Sequence, residues 1–166
     1  VLLAVKGNCI DFLYWTDRAK YDFWKKLYAE IHTELSIYDA GSYCLLNDGS
    51  QLVTFSYYKK NRDELKGLTP DSAGQSVVLF DKNHHLVRET KDLFQKTLGD
   101  LGTPIINSIS NGKVIFSFSS GDAGFSVKLA YELTLSDFSY KLSGKEITSS
   151  ASDWRTLRSE RLGFEI

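Results

Sequence analysis

Histidine and carboxylate residues cluster between positions 81 and 89, where they could bind a metal ion. His84 and His85 follow Asp81, and Glu89 lies four residues after His85. Residues i and i+4 share one face of a helix, so a helical segment would let His85 and Glu89 hold one ion together. The spacing supplies no third ligand at a defined distance. We therefore predict an ordinary surface pair here, with no metal site and no cofactor.

The third histidine, His32, lies next to Ile31 on the apolar stripe of the first predicted helix. We expect its ring to cover the rim of the core. The alternative is a small enzyme or ligand-binding domain with a pocket between this helix and the sheet. In that case His32, His84 or His85 would be the first candidates for acid–base chemistry. The chain has no Gly-x-Ser-x-Gly elbow and no His-Glu-x-x-His motif, which favours a non-enzymatic protein.

Arginine recurs at every third position near the end of the chain, beside a tryptophan. Arg155, Arg158 and Arg161 follow Trp154 in a segment that residues 149–153 can cap as a short helix. Arginine and tryptophan dominate the binding energy of many protein interfaces. We therefore predict that Trp154, Arg155, Arg158 and Arg161 bind another protein. The alternative is a plain amphipathic helix whose arginines face water.

Basic residues next to aromatic ones form a second candidate surface. Tyr57 and Tyr58 precede Lys59, Lys60 and Arg62. Such a group can hold single-stranded nucleic acid through stacking and phosphate contacts. Two acidic residues follow it, and the net charge of the chain is −1, so nothing draws the whole molecule to nucleic acid. We keep weak nucleic-acid binding as an alternative to a solvated loop.

The two cysteines, Cys9 and Cys44, both fall in predicted strands. We expect two buried, reduced thiols that act as small apolar side chains. A disulfide between two early strands is the alternative. No Asn-x-Ser/Thr sequon is present, and no apolar run approaches the roughly 18 residues of a membrane span. These observations favour an intracellular location, in the cytoplasm or nucleus.

Hairpins and two helices must position these residues. Residues 1–5 and 9–15 predict a first hairpin, and Asp48-Gly49 predicts a second between residues 43–46 and 51–58. Thr16 or Asp17 can cap a helix whose apolar stripe reaches Leu35, and Asp39-Ala40-Gly41 should end that segment. A second helix is predicted over residues 86–101, with a hairpin turn through residues 81–84 as the competing interpretation.

The second half of the chain is rich in strands. Apolar residues alternate with polar ones from Phe125 to Leu135, which predicts a strand with one packed face and one solvated face. Asn111-Gly112 and Ser136-Asp137 mark turns between neighbouring strands. Together these signals predict a four-strand antiparallel meander, followed by the short closing helix.

The sequence as a whole predicts a single α+β domain over residues 1–166. An antiparallel-rich sheet carries two main flanking helices, and the C-terminal four-strand meander and short helix follow; Thr103-Pro104 is the best place to subdivide the chain. Aromatic residues make up 13% of the chain, which suits interfaces as well as strands. We predict a non-enzymatic protein–protein interaction or scaffold domain, a subunit or fragment of a larger assembly.

Overall fold

The computed structural model describes residues 9–12, 17–59, 73–91, 103–122 and 125–149, which form one helix and nine strands. In chain order they are β1 (Cys9–Asp11), α1 (Arg18–Ile31), β2 (Leu35–Leu45), β3 (Gln51–Lys59), β4 (Ala73–Phe80), β5 (Leu86–Glu89), β6 (Ile105–Ser110), β7 (Lys113–Asp122), β8 (Phe125–Thr134) and β9 (Tyr140–Ser149). Strands β1 to β5 form one antiparallel sheet in sequence order, and β6 to β9 form a second. The predicted α+β fold with two main flanking helices is wrong, because strands dominate the described residues.

The segment predicted as the second helix begins with a strand instead. Leu86–Glu89 forms β5, which pairs with β4 through a tight turn. Asp81 stabilises this turn, since its carboxylate accepts hydrogen bonds from the backbone N–H groups of Asn83 and His85. The competing hairpin interpretation is therefore confirmed, and His85 and Glu89 do not share a helix face. The rest of the predicted helix lies outside the described residues.

Helix α1 begins where the sequence predicts and ends earlier. Asp17 is the N-cap, and its carboxylate accepts a hydrogen bond from the Lys20 N–H over 3.0 Å. The helix stops at Ile31, and Leu35 already belongs to β2. Asp39-Ala40-Gly41, predicted to end the segment, lies inside β2 because that strand pairs with β3 along most of its length. Within the described residues, no helix is long and apolar enough to cross a membrane.

The described elements stack in three layers, with the first sheet in the middle. Helix α1 covers one face of that sheet, and the second sheet covers the other. The core on the helix side consists of Phe12, Tyr21, Trp24, Tyr28, Leu35, Ala40, Tyr43, Val53, Phe55, Tyr57, Val78 and Phe80. The core between the sheets consists of Cys44, Leu52, Val77, Leu79, Ile106, Ile109, Val114, Phe116, Leu129, Tyr131, Leu133 and Phe138. Strand β3 contributes to both cores, which explains why its residues from Gln51 to Tyr57 are all buried.

A disulfide joins Cys9 on β1 to Cys44 on β2. The two residues are direct partners in the antiparallel register, and their α carbons are 4.0 Å apart. The prediction of two reduced thiols is therefore wrong, and the alternative disulfide is what the structure contains. Ser42 adds a second link between the strands by donating its hydroxyl hydrogen to Asp11 over 2.9 Å. Together these links hold the three-residue edge strand in place.

The predicted C-terminal meander is confirmed as the sheet β6-β7-β8-β9. Its first turn is Asn111-Gly112, where both residues have positive φ angles, 51° and 74°. The predicted closing helix, like the first arm of the N-terminal hairpin, lies outside the described residues. Thr103 and Pro104, the best place predicted for a subdivision, lead from the first sheet into β6. The Thr103 hydroxyl donates to Asp39 over 2.6 Å, and Thr54 donates to the Pro104 carbonyl.

Candidate functional site

An open groove of about 340 Å³ lies at the N-terminal end of α1. Its other walls are the start of β3 and the turn between β4 and β5. We call it the α1 groove. Its lining residues are Asp17, Ala19, Lys20, Phe23, Trp24, Gln51 and His84. Its volume is in the range of small-molecule sites, which usually combine an apolar surface with a few fixed polar groups.

The apolar part of the α1 groove is an exposed phenylalanine on a rigid base. Phe23 is 44% exposed, although Trp24 beside it is buried against Phe80 with ring centroids 4.8 Å apart. His84 reaches over from the β4–β5 turn, and its ring centroid lies 5.0 Å from that of Phe23 and 5.3 Å from that of Trp24. His84 has a positive φ of 68°, an uncommon conformation that often marks functional positions. The turn therefore holds the histidine ring against Phe23.

The floor of the α1 groove carries an amide in a fixed orientation. The Tyr43 hydroxyl donates to Gln51 Oε1 over 2.9 Å, and Gln51 Nε2 donates to the Asp81 carbonyl over 3.1 Å. Burial raises the pKa of Tyr43, so its hydroxyl stays protonated and remains the donor. These bonds use one amide hydrogen and one oxygen lone pair of Gln51. One further donor and one further acceptor remain on the same amide.

Two opposite charges flank this floor. Asp17 uses one carboxylate oxygen to cap α1, and the Lys20 ammonium lies 4.3 Å from the centroid of the Tyr43 ring. Within the described part of the chain, neither the ammonium of Lys20 nor the ring nitrogens of His84 have a hydrogen-bond or ion-pair partner. The α1 groove therefore presents unused donors and acceptors around the Phe23 ring, and its fixed charges balance.

His32, one of the three histidines predicted as candidates for acid–base chemistry, is engaged elsewhere. Its Nε2 lies 2.9 Å from Glu89 Oε2, and its Nδ1 lies 3.3 Å from the Lys91 ammonium. The same Nδ1 also lies 3.6 Å from Glu34 Oε1, so both ring nitrogens face charged groups. The Tyr28 hydroxyl donates to the Glu89 carboxylate over 2.8 Å. This arrangement fastens the end of α1 to β5, and it leaves no free nitrogen on His32 for a reaction.

The other two histidines lie on the β4–β5 turn. His85 is exposed and faces Asp81, with Nδ1 3.4 Å from a carboxylate oxygen. His84 belongs to the α1 groove. Among the described residues, no group of three or more His, Cys, Asp or Glu side chains has the geometry to hold a metal ion. The pair His85–Glu89 is separated by its strand geometry, since Glu89 turns toward α1.

The nucleic-acid candidates do not form one surface. Tyr57 is fully buried in the helix-side core, where its ring occupies the space next to Gly74. A base cannot stack on a ring that is buried. Tyr58 and Lys59 are half-buried at the end of β3, and Tyr58 packs against Tyr38 with ring centroids 4.8 Å apart. Lys60 and Arg62 lie outside the described residues, as do the predicted partner-binding residues Trp154, Arg155, Arg158 and Arg161.

The α1 groove was missed in the sequence because its residues come from distant segments. One local signal was present: Phe23 lies beside the buried stripe of α1, among the polar residues Asp22 and Lys26. An aromatic residue off the apolar stripe of an amphipathic helix marks an exposed ring. Its contact with His84 depends on the β4–β5 turn, which the sequence predicted only as the less favoured alternative.

Comparison with protein-family models, with curated proteins and with solved structures gave no match to this chain.

Proposed function

We propose that this protein is a non-catalytic ligand-binding domain whose α1 groove binds a neutral, hydroxylated ring, the chemistry of a sugar residue. The observation that carries the proposal is the exposed ring of Phe23, surrounded by polar groups with unused hydrogen-bonding capacity. A sugar ring has an apolar face of C–H groups, and its hydroxyl groups each donate and accept. The groove offers both kinds of contact at once.

The charge of the α1 groove supports a neutral ligand. Asp17 and Lys20 carry opposite charges at the N-terminal end of α1 and both line the groove, so an anion or a cation would meet one attractive and one repulsive group. Gln51 supports a hydroxylated ligand, because its amide lines the groove in a fixed orientation, although the residue is only 7% exposed. Preorganised groups of this kind reduce the entropic cost of binding.

The disulfide supports an oxidising compartment. Bridges of this kind persist in secreted and extracellular proteins and are rare in the cytosol. The bond between Cys9 and Cys44 therefore replaces the expected intracellular location with the proposal that this protein works outside the cytosol.

The engagement of His32 supports binding over catalysis. Both of its ring nitrogens contact charged groups, and those contacts serve to attach α1 to β5. General acid–base catalysis requires a titrating group within hydrogen-bond reach of the substrate. His84 does face the groove, but as part of the aromatic wall beside Phe23 and Trp24.

Titration with neutral methyl glycosides tests the proposal. Nuclear magnetic resonance shifts of Phe23 and Trp24 would report binding of the methyl glycosides of glucose, galactose, mannose and N-acetylglucosamine. Phe23→Ala should weaken binding about tenfold, which corresponds to ~1.4 kcal/mol. Ile31→Ala is the matched control, since Ile31 is also an apolar residue on α1 and is 39% exposed. Absence of binding by every neutral glycoside, or equal loss in both variants, would overturn the proposal.

Asp17→Asn tests the charge argument separately. Asparagine caps a helix as well as aspartate does, so α1 should keep its stability. The groove of the variant would carry only the positive charge of Lys20. We expect weaker discrimination against an anionic sugar, with N-acetylneuraminic acid as the probe. If the probe binds the original protein and the variant equally, the charge balance has no role in selecting the ligand.

A second candidate function is protein–protein interaction, as the sequence predicts. Two large apolar side chains on β9 support it: Tyr140 is 41% exposed and Leu142 is 42% exposed. They share one side of a sheet edge, and neighbouring exposed apolar side chains are typical of interaction surfaces.

The surface that the sequence predicts for a partner is tested separately. The test is a variant with Trp154, Arg155 and Arg158 all replaced by alanine. Loss of a bound partner with the fold intact would support that surface, and unchanged binding would remove it.

A further inference from the structure

Strand β9 has an open edge. It is the last strand of the second sheet, and within the described residues no strand pairs with its outer side. The opposite edge strand of that sheet, β6, lies next to β1 and β2. Strand β9 runs from Tyr140 to Ser149, which is 10 residues. An exposed edge of this length presents a row of backbone N–H and C=O groups that can pair with another strand.

The side chains of β9 differ between its two faces. Tyr140 and Leu142 oppose Leu133 and Tyr131 on β8, which are buried in the core between the sheets. The exposed ring of Tyr140 and the methyl groups of Leu142 therefore continue the apolar face of the second sheet to its edge. A strand added next to β9 would cover them. Lys145 lies opposite Leu129 on β8, on this same face by register, so an added strand meets two apolar residues and one lysine there.

The other face of β9 carries one positive and one negative charge. Lys141 opposes Glu132, and Glu146 opposes Lys128. Residues five apart on a regular strand point to opposite faces. Here the register shifts at Ser143, whose hydroxyl donates to the Ala130 carbonyl over 3.2 Å, and this bulge brings Lys141 and Glu146 to the same face.

We propose that β9 pairs with β9 of a second copy of this chain, in antiparallel orientation, to join two four-stranded sheets into one of eight strands. With the twofold axis between Ser143 and Gly144, Lys141 lies opposite Glu146 of the partner subunit. The symmetry creates the same pair a second time, as in any isologous interface. This inference rests on β9 alone and is independent of the α1 groove.

The charges on the second sheet already alternate from strand to strand. Lys113 on β7 contacts Glu132 on β8 at 3.7 Å, and Glu132 opposes Lys141 on β9. The next strand should therefore carry an acid opposite Lys141, and Glu146 of the partner subunit supplies it. A parallel arrangement in register would place Lys141 against another lysine, which is repulsive. In this register Tyr140 lies opposite Ile147 of the partner subunit, and Leu142 lies opposite Lys145 of the partner subunit. The exposed ion pairs select the orientation and register, and the backbone bonds together with the contact of Tyr140 supply the affinity.

Charge reversal tests the proposed dimer. In Lys141→Glu, two acids face each other across the interface, and in Glu146→Lys two bases do. Each variant alone should dimerise at least tenfold more weakly than the original protein in analytical ultracentrifugation. An equimolar mixture should restore a dimer, because the heterodimer again pairs acid with base at both positions. Lys113→Glu is the control: it reverses a charge on the same sheet two strands away from the edge, and its dimer should persist.

The mixing step separates dimerisation from folding. Each variant also meets a like charge on β8 of its own chain, and mixing does not change that contact. Hydrogen exchange on the original protein adds an independent measurement: amides of β9 should become more protected as the protein concentration rises. An original protein that stays monomeric up to about 1 mM would overturn the proposal. The proposal would also be overturned if both single variants still dimerise like the original protein. It would equally be overturned if an equimolar mixture of the two variants stays monomeric.

Discussion

The hydroxyl of Tyr28 on α1 donates a hydrogen bond to the carboxylate of Glu89 on β5, 2.8 Å away and 61 residues later in the chain. The ring of Tyr28 stacks on Phe55 with centroids 4.2 Å apart, which fixes the position of its hydroxyl. Burial is the main cause that raises the pKa of Tyr28 well above its ordinary value, so the hydroxyl remains a donor. This bond attaches the helix to an edge strand of the first sheet.

The first prediction concerns this attachment. Tyr28→Phe should lower the free energy of unfolding by about 1.5 kcal/mol, because it removes one hydrogen bond to a charged group. Glu89→Ala should cost more, about 2 to 3 kcal/mol, because it leaves the buried Tyr28 hydroxyl without an acceptor. Urea denaturation measures both. Glu30→Ala changes an exposed glutamate of the same helix and should stay within about 0.5 kcal/mol of the original protein. Equal losses for Tyr28→Phe and Glu30→Ala would contradict this account.

The second prediction concerns Gly41, where residues 103 and 104 cross β2. A methyl group at this position would overlap the Pro104 carbonyl and come within 2.8 Å of the Thr54 hydroxyl. The crowding atom at Pro104 belongs to the backbone and cannot rotate away. Gly41→Ala should therefore destabilise the fold by about 2 kcal/mol or more, as overpacking does.

Gly144→Ala is the matched control for this prediction. A methyl group at Gly144 would meet only the Ala130 side chain at 3.8 Å, an ordinary contact. Its free energy of unfolding should stay within about 0.5 kcal/mol of the original value. Thermal or urea unfolding of both variants compares the two sites directly. If Gly41→Ala unfolds like Gly144→Ala, the close approach of Pro104 does not constrain the fold.

The third prediction concerns stability at alkaline pH. Burial, and then the hydrogen bond to Asp39, raise the pKa of Tyr21 from its ordinary value to about 12. The unfolded chain loses this proton near pH 10, whereas the folded chain keeps it. The contribution of Tyr21 to stability is therefore complete below pH 10 and is lost as the pH rises toward 12.

Tyr21→Phe isolates this contribution. At pH 8 the variant should be less stable than the original protein, because the bond to Asp39 over 2.8 Å is gone. The difference should shrink as the pH rises above about 10, since only the original protein carries the ionisable ring at this position. Urea denaturation between pH 8 and 11 gives the comparison. A difference that stays constant over this range would show that Tyr21 has the same pKa in both states.

Local signals predicted the parts of this fold that depend on neighbouring residues. The cap at Asp17 and the turn at Asn111-Gly112 each need only a few residues, and strict alternation predicted β8. The second helix failed because the apolar spacing after Leu86 resembles a helix, whereas the hydrogen bonds of Asp81 close a tight turn before it. Turn chemistry outweighed periodicity at that point.

The α1 groove and the open edge of β9 depend on tertiary contacts. The exposed face of Phe23 has a defined neighbour only because the β4–β5 turn brings His84 to α1. Likewise, Lys141 and Glu146 share a face only because of the bulge at Ser143. In a regular strand, where successive side chains alternate between the two faces, Lys141 and Glu146 would lie on opposite faces. Sequence alternation alone therefore predicted the strand and not its charge pattern.

The fourth prediction concerns the disulfide between Cys9 and Cys44, which are 35 residues apart in sequence. Closing a loop of this length restricts the unfolded chain and should stabilise the fold by about 4 kcal/mol in the chain-entropy model. Denaturation with and without a dithiol reductant measures this contribution. The midpoint of the original protein should fall on reduction. In the double variant Cys9→Ala with Cys44→Ala, the midpoint should be low from the start and insensitive to the reductant. If the reductant leaves the midpoint of the original protein unchanged, and that midpoint equals the midpoint of the double variant, the two thiols are reduced in the original protein.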